Sequence, residues 1–430
     1  MNKIAESGIV QRSLAAHSSI ALLCCAMLYL ISVTGTVIML YEEWQIFEQP
    51  DAPEMASIDA AHVQRAIENV IDSESDRPDT THLYVHLPTP ALPRTTITTD
   101  TQAVHVTPSG EIAVAEENAW AEFLLALHYR LNLPAPVGMT LVGAFGAMIV
   151  ALSISGILAH PRIFRDAFRL RARRRDEVST VDWHNRLAVW SLPFAIAIAL
   201  TGAMIGLFYV SGGSMAVTAY AGDSDAALAP IFGSEPEADT AKAPLANIVP
   251  ALAYMETQYP QVRPSYVILH DPNTAGQHIQ IVGVHSQRLI FGEYYAFDAQ
   301  GRFMGTAGMA DGTIGQQLAA SAYNLHFGNY GGLPVKIAYI FFGIALCVVI
   351  ATGTFIWLNK RERRGSPAAL LRSAWWGLVI GVPAGVATTL AARLTIGNTA
   401  PFVWVFWLTC AATVAVFMAA HRSRKTGNAA

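Results

Sequence analysis

Four histidines stand at matched distances from a small-residue step. Eighteen positions separate His17 from the glycine of Thr34-Gly35, and eighteen separate His184 from that of Thr201-Gly202. The later part of each stretch matches too. Leu127-His128-Tyr129 leads through Leu133-Pro134 to Ser155-Gly156, and Leu325-His326-Phe327 leads through Leu333-Pro334 to Thr352-Gly353, with histidine-to-glycine spacings of 28 and 27. A repeat of this kind sets equivalent side chains at equal depth on facing helices, which is how helix bundles build cofactor sites. Two imidazole nitrogens at one depth can take both axial positions of a haem iron, while apolar helices bury the porphyrin face. The expectation is two b-type haems, one on His17 and His184 and one on His128 and His326, the haem iron being the metal in each. The alternative for any one of these residues is an interfacial histidine bonded to water or lipid headgroups. Pairing favours ligation, because histidine is costly to bury on a membrane helix.

Several neighbours could serve such sites. His160 lies four residues after Gly156, with Trp357 as its repeat counterpart; it could replace one ligand of the inner pair or cap the helix before Pro161. A ligating imidazole needs its second ring nitrogen oriented, and Asp182 and Asn185 are the nearby candidates. Tyr129, Arg130, Phe327, Asn329 and Tyr330 flank the outer histidines and are candidates for contact with substrate or haem propionates, although Arg130 reads equally as a headgroup anchor. His62, His82, His86 and His105 form a separate group in a polar region; alternation sets His82 and His86 on one strand face, but ordinary surface histidines are favoured over a metal site. His270, His278 and His285 look scattered. Cys24, Cys25, Cys347 and Cys410 all fall in apolar stretches, without CxxC or CxxCH, and read as packing residues. No side chain is assigned a catalytic acid, base or nucleophile role.

The elements that must position these residues are membrane helices. Of 430 residues 53% are hydrophobic and only 14% charged, and the mean hydropathy is +0.35, which excludes an ordinary soluble enzyme and a disordered chain. Six stretches are long and apolar enough to span a bilayer: 14–41, 137–160, 184–211, 334–358, 373–396 and 400–420. The first continues into Tyr41-Glu42-Glu43-Trp44 without a small-residue cleavage site, so it reads as a span and not a cleaved signal. The N-terminal segment, 161–183, 359–372 and the tail after 421 hold 17 of the 28 basic residues. With those regions inside, the topology closes with both termini cytoplasmic in a bacterial inner membrane. The net charge of −4 implies no nucleic-acid partner.

The expected fold is therefore membrane α-helical, with six transmembrane helices, a duplicated four-helix core and two periplasmic α+β inserts. The chain divides into a first span (12–41), a first insert (52–115), a helix and second span (118–160), a basic loop (161–183) and a third span (184–211). A linker (222–244), a second insert (245–310), a helix and fourth span (314–358) and two further spans (373–396, 400–421) complete it. Within the first insert a helix is expected over 58–71, strands near 82–87, 94–99 and 103–107, and a turn at Pro108-Ser109-Gly110. The second repeats that order, with a helix near 245–258, strands near 265–270, 277–284 and 289–298, and a turn at residues 298–301. From His17 to Tyr41 a straight helix would cover about 36 Å, which sets the two histidine levels far apart.

These residues together resemble the PepSY-associated transmembrane family, which includes iron-regulated inner-membrane proteins and ferric-siderophore reductases. The resemblance covers about residues 10 to 365 and rests on Leu127-His128-Tyr129, Ser155-Gly156, Asp182-Trp183-His184-Asn185, Thr201-Gly202, Leu325-His326-Phe327-Gly328, Thr352-Gly353 and Trp357, with two inserts that look like PepSY domains. It implies haem-bearing helices that carry electrons outward to ferric iron held by a siderophore, or by a similar periplasmic ferric complex, and so a role in iron homeostasis. One-electron reduction weakens the hold of hard oxygen donors on the metal and releases it. Without a GxGxxG or flavin-binding pattern, electrons are expected from a membrane quinol or a separate cytoplasmic reductase. The arginine-rich segment 162–175 could dock such a reductase, although positive-inside topology and binding to anionic lipid explain it more simply. A different class stays open: a non-enzymatic receptor or transport accessory whose inserts bind a ligand or partner, its histidines merely bonding across helices.

Overall fold

The computed structural model of the protein describes residues 3–167, 177–233, 236, 238–285 and 289–427. The arginine-rich segment from residue 168 onward thus lies outside the described residues. In chain order the first elements are α1 (Lys3–Ile38), α2 (Tyr41–Glu48), α3 (Ala60–Ser73), β1 (His82–His86), β2 (Thr96–Thr98), β3 (Ala103–Val106) and β4 (Ile112–Ala115). Next come α4 (Ala119–Arg130), α5 (Ala135–Ala159), α6 (Ile163–Asp166), α7 (Glu177–Trp190), α8 (Leu192–Gly206), α9 (Phe208–Ala219), α10 (Ser224–Phe232) and α11 (Val249–Gln258). The last are β5 (Val262–His270), β6 (His278–His285), β7 (Phe291–Phe297), β8 (Phe303–Thr306), α12 (Ile314–Phe327), α13 (Gly332–Arg363), α14 (Ala369–Ile396) and α15 (Phe402–Gly427). They fall into two compact units. A helical unit comprises Met1–Tyr41, Ala119–Tyr209 and Gly331–Ala430, and a sheet unit comprises Glu42–Asn118 and Val210–Tyr330.

In the helical unit five described helices are long and apolar enough to cross a membrane: Gly8–Ile38, Ala135–Ala159, Gly332–Arg363, Ala369–Ile396 and Phe402–Arg422. A sixth span exists if Thr180–Trp190 and Leu192–Gly206, bent by 64° at their junction, count as one. The expected third span, 184–211, therefore needs correction. Its first part belongs to α7, which starts at Glu177 inside the expected loop, and the chain breaks at Ser191 before α8. Pro193, which has no N–H to donate back to the preceding turn, stands just after the break and accounts for it.

The core of this unit is a ring of contacts: α1 on α5 and α13, α5 on α8, and α13 on α7. Glycine allows the closest approaches. A Cβ added at Gly143 would lie 2.7 Å from the backbone of Gly206, and one at Gly206 would lie 2.6 Å from Gly143, so α5 and α8 touch backbone to backbone. Gly377, Gly381 and Gly385 make a GxxxGxxxG stripe by which α14 lies against Val414, Cys410 and Phe406 of α15. Such packing replaces the hydrophobic drive that lipid does not supply. The outer helices are tied to the core by three bonds, the last two of them buried. Tyr29 Oη donates to the Val379 carbonyl, Trp375 Nε1 to the Ala351 carbonyl, and Trp120 Nε1 to Thr389 Oγ1, at 2.9, 3.1 and 3.0 Å.

The sheet unit contains one eight-stranded antiparallel sheet in the order β4-β3-β2-β1-β5-β6-β7-β8. The sequence leads one to expect two separate inserts of three strands. Instead each contributes four, and they join through β1 and β5, with His82 opposite His270 and Val85 opposite Val267. Alternation sends Leu83, Val85, Ile97, Val267, Leu269, Ile279, Ile281 and Phe297 to one face. There they pack with Val63, Ile67 and Val70 of α3 and Ala251 and Met255 of α11. Each large side chain buried in this way contributes about 1.5–3 kcal/mol. Gln64 fastens the two halves, its Oε1 accepting from Ile248 N at 2.9 Å and its Nε2 donating to the Ala246 carbonyl at 3.3 Å. Within the expected linker 222–244, Ser224–Phe232 is helical, because Asp223 caps it by accepting from the backbone of Asp225 and Ala226.

Candidate cofactor site

His17 sits on α1 with Nδ1 3.0 Å from the carbonyl oxygen of Leu152 on α5 and 3.3 Å from Ser155 Oγ. His184 sits on α7 with Nδ1 2.9 Å from the carbonyl of Val349 on α13 and 3.3 Å from Thr352 Oγ1. His128, on α4, repeats the pattern against α1, with Nδ1 3.0 Å from the Ile31 carbonyl and 3.5 Å from Thr34 Oγ1. The three rings share one seat. In each, the accepting carbonyl lies four residues before a glycine, the hydroxyl lies one residue before it, and the glycine admits the ring edge. An added Cβ would approach the ring Cε1 to 3.3 Å at Gly156 for His17, 3.1 Å at Gly353 for His184 and 2.6 Å at Gly35 for His128.

This seat decides the tautomer. A carbonyl oxygen only accepts, so the Nδ1 of each ring must carry the proton and donate it, which leaves Nε2 with its lone pair. For His17 and His184, Nε2 makes no hydrogen bond among the described residues. The two rings are close enough to interact electrostatically. Asp182 and Asn185 do not orient His184 as the sequence suggests; a backbone carbonyl does. Nothing in local sequence near a histidine points to a carbonyl 135 or 165 positions away, although the Ser/Thr-Gly steps carry the signal. Read as repeat marks, they are also the imidazole seats.

The depth of the two levels also changes. His128 docks at Ile31, fourteen residues along α1 from His17, or about 21 Å at the helical rise, well short of the length to Tyr41.

The other expected site residues distribute as follows. His160 caps the end of α5, its backbone N–H donating to the Ile157 carbonyl, and its Nδ1 is buried without a partner. Arg130 lies 5.6 Å over the Tyr129 ring and donates through Nη1 to the Leu133 carbonyl. These three residues belong to the helical unit. His326, Phe327, Asn329 and Tyr330 belong to the sheet unit. There His326 lies edge-on to Phe327, Phe327 stacks on Tyr323 with centroids 4.4 Å apart, and the Asn329 backbone N–H donates to the Asn324 carbonyl.

The sheet brings together histidines that look scattered in sequence. His82, His270 and His278 form one row across β1, β5 and β6, with ring centroids 4.9 and 4.3 Å apart. The second pair is stacked at 6°, which keeps its ring nitrogens from converging, and no cluster able to hold a metal ion occurs among the described residues. Burial, with His278 and His82 beside it, lowers the His270 pKa to about 4. Burial and nearby Arg94 do the same for His105, whose Nδ1 meets Thr96 and Nε2 meets Gln49.

Comparison with known proteins gives two results. Residues 14–360 match the family described as the PepSY-associated TM region. A Pseudomonas aeruginosa protein, described as uncharacterized protein PA4219, is 26% identical over 285 residues, covering 63% of this chain and 71% of that relative.

Proposed function

The chain belongs to the PepSY-associated transmembrane family, and from that premise we propose that it is an inner-membrane electron-transfer protein. In this reading it binds b-type haem through His17, His184, His128 and His326 and reduces a ferric siderophore, or a similar ferric complex, on the periplasmic side. The observation that carries the reading is the shared seat: Nδ1 of His17 and His184 is spent on a carbonyl, and the Nε2 lone pair is left for a metal. Iron ligation by histidine asks for this, because an oriented second nitrogen fixes the ring and raises ligand basicity. The fit extends to a second feature. Glycines at 156 and 353 let each ring edge close against the neighbouring helix, and Arg186, whose Nε and Nη2 are unpartnered among the described residues, follows His184 by two residues.

Bound haem would supply the one-electron chemistry. The chain's part is to hold each imidazole by its carbonyl, to exclude water from the bundle and to fix the spacing of the levels. Candidate contacts for a periplasmic ferric complex are Tyr129 and Arg130 in the helical unit and, taken separately, Phe327, Asn329 and Tyr330 in the sheet unit. A quinol or a separate cytoplasmic reductase is the donor class.

A reduced-minus-oxidised absorbance spectrum of the purified full chain, with a haem-to-protein ratio, tests this directly. A b-type signal approaching two haems per chain supports it. Colourless protein from haem-replete cells would leave the non-enzymatic receptor or accessory reading, in which the imidazole-to-carbonyl bonds only tie helices together at about 1–2 kcal/mol each.

A further inference from the structure

The end of the helical unit that holds His17 and His184 also holds a charge with no counterpart among the described residues. Arg186, on α7, is 4% exposed, and its Nε and Nη2 have no hydrogen-bond partner among the described residues. A guanidinium does not shed its proton in a protein, so burial cannot neutralise it as it can a lysine. An uncompensated buried charge is among the costliest features a fold can carry. Asp182 stands one turn earlier, at the i,i+4 spacing where an Asp–Arg pair usually closes. Here that pair is open, and Asp182 Oδ2 is itself without a partner. The position equivalent to Arg186 in the first half is Ser19, which is exposed, so the cation is present on one side of the repeat alone.

A planar fork of N–H donors matches a carboxylate or a phosphate in bidentate fashion. Haem carries two carboxylates, and Arg186 is two residues from a ligand assigned to it. We infer that Arg186 binds a propionate carboxylate of the haem held by His17 and His184, and by acting from one half only sets which way round the porphyrin lies. The inference rests on the haem reading above. Arg186 is a positioning residue in it, acting on the porphyrin rim and leaving iron ligation to the histidines.

The test uses the full chain purified with haem, in wild-type, Arg186→Gln and Arg186→Lys forms, with each haem followed by optical redox titration. A cation beside the porphyrin favours the ferrous form, so Arg186→Gln should lower the midpoint potential of the inner haem and weaken its retention about ten-fold. The outer haem should keep its potential and so report that the variant is folded. Arg186→Lys should recover the potential and only part of the retention, since it keeps the charge and loses the fork. Reconstitution with haem dimethyl ester, which has no free propionate, should make wild type and Arg186→Gln alike in retention, while the charge of Arg186 still separates their potentials.

Unchanged potential and retention in Arg186→Gln would overturn the inference, as would a retention difference that persists with the dimethyl ester. Loss of co-purified anionic phospholipid with both haems undisturbed would also overturn it, by assigning the guanidinium to a lipid phosphate. Colourless wild-type protein would remove the haem reading and this inference together, whereas haem-bearing protein indifferent to Arg186 would remove the inference alone.

Discussion

His105 in the sheet unit uses both ring nitrogens, Nδ1 toward Thr96 and Nε2 toward Gln49, while His270 donates through Nε2 to Gln280 Oε1 at 3.1 Å. His17 and His184 in the helical unit use Nδ1 alone. The sheet brings polar side chains into register every second residue, so a buried imidazole there finds amide and hydroxyl partners on the adjoining strand. A membrane helix offers few such groups. Its carbonyls are already spent within the helix, but each has a second lone pair, and a neighbouring imidazole can reach one only where a glycine clears the way. His105, satisfied on both sides by side chains, reads as structural. His17 and His184, each satisfied on one side by a carbonyl of a neighbouring helix, are the candidates for chemistry.

The largest effect that could break this contrast is loss of a ligand. His184→Ala should remove the haem assigned to His17 and His184, about half of the b-type absorbance per chain, while the circular dichroism of the sheet unit stays as in wild type. His105→Ala, a loss of similar size in the other unit, should leave the absorbance untouched. If His184→Ala kept the full haem complement, one-sided satisfaction would no longer mark the functional residues.

The second effect falls on the sheet unit alone. Ile281 is fully buried in its core, and Ile281→Ala should cost about 2–5 kcal/mol through lost burial and the cavity left behind. Hydrogen exchange in β5, β6 and β7 should accelerate accordingly, with haem spectrum and potentials unchanged. Concerted loss of haem and of strand protection would show that the two units unfold as one.

Particular residues show what could be read from sequence. The membrane class and the family were legible, because apolar length and the His–Gly spacings are local patterns. So was β1, expected near 82–87 and found at His82–His86, since a strand that alternates against a core announces itself. The short outer strands β4 and β8 were not legible: Ile112, Val114 and Met304 on them are exposed, so burial imprints no period on their sequence. Nor was the joining of the inserts into one sheet, which depends on β1 meeting β5 more than 170 residues later. The bend at Ser191 had a visible cause in Pro193, but a proline in the first turn of a helix reads equally as a helix start. The histidines of the candidate site were found by spacing, and their partners were missed because a backbone carbonyl has no residue type to recognise.

A third, smaller effect separates the units by pH. His105 and His270 are held neutral by burial, each with a pKa lowered from 6.5 to about 4. Between those values the unfolded chain binds more protons than the folded one, so the stability these residues contribute is complete above about pH 6.5 and is lost as pH falls toward 4. The expected loss in the sheet unit is on the order of 1–3 kcal/mol per histidine. Strand protection measured at pH 7 and again at pH 4.5 should differ, and His105→Gln should flatten part of that difference. Equal protection at both values would mean that these rings are not desolvated as their surroundings imply.

The smallest effect probes the imidazole seat itself. Thr352 Oγ1 lies 3.3 Å from the Nδ1 of His184, while the Val349 carbonyl lies 2.9 Å away. One N–H cannot serve both well, so the nearer carbonyl takes the proton and the hydroxyl is a weak second partner. The hydroxyl also donates to the Val348 carbonyl at 2.6 Å, which satisfies it independently of the ring. Thr352→Val keeps the side-chain volume and the carbonyl bond, and should therefore change haem retention by less than about 1 kcal/mol, with at most a small shift in potential. Ser155 stands in the same relation to His17, its Oγ at 3.3 Å from Nδ1 and donating to the Leu152 carbonyl at 3.1 Å, so Ser155→Ala should be equally mild. An effect at either hydroxyl as large as that of His184→Ala would show that the ring is oriented by side chains after all. The helical unit would then hold its histidines as the sheet unit does.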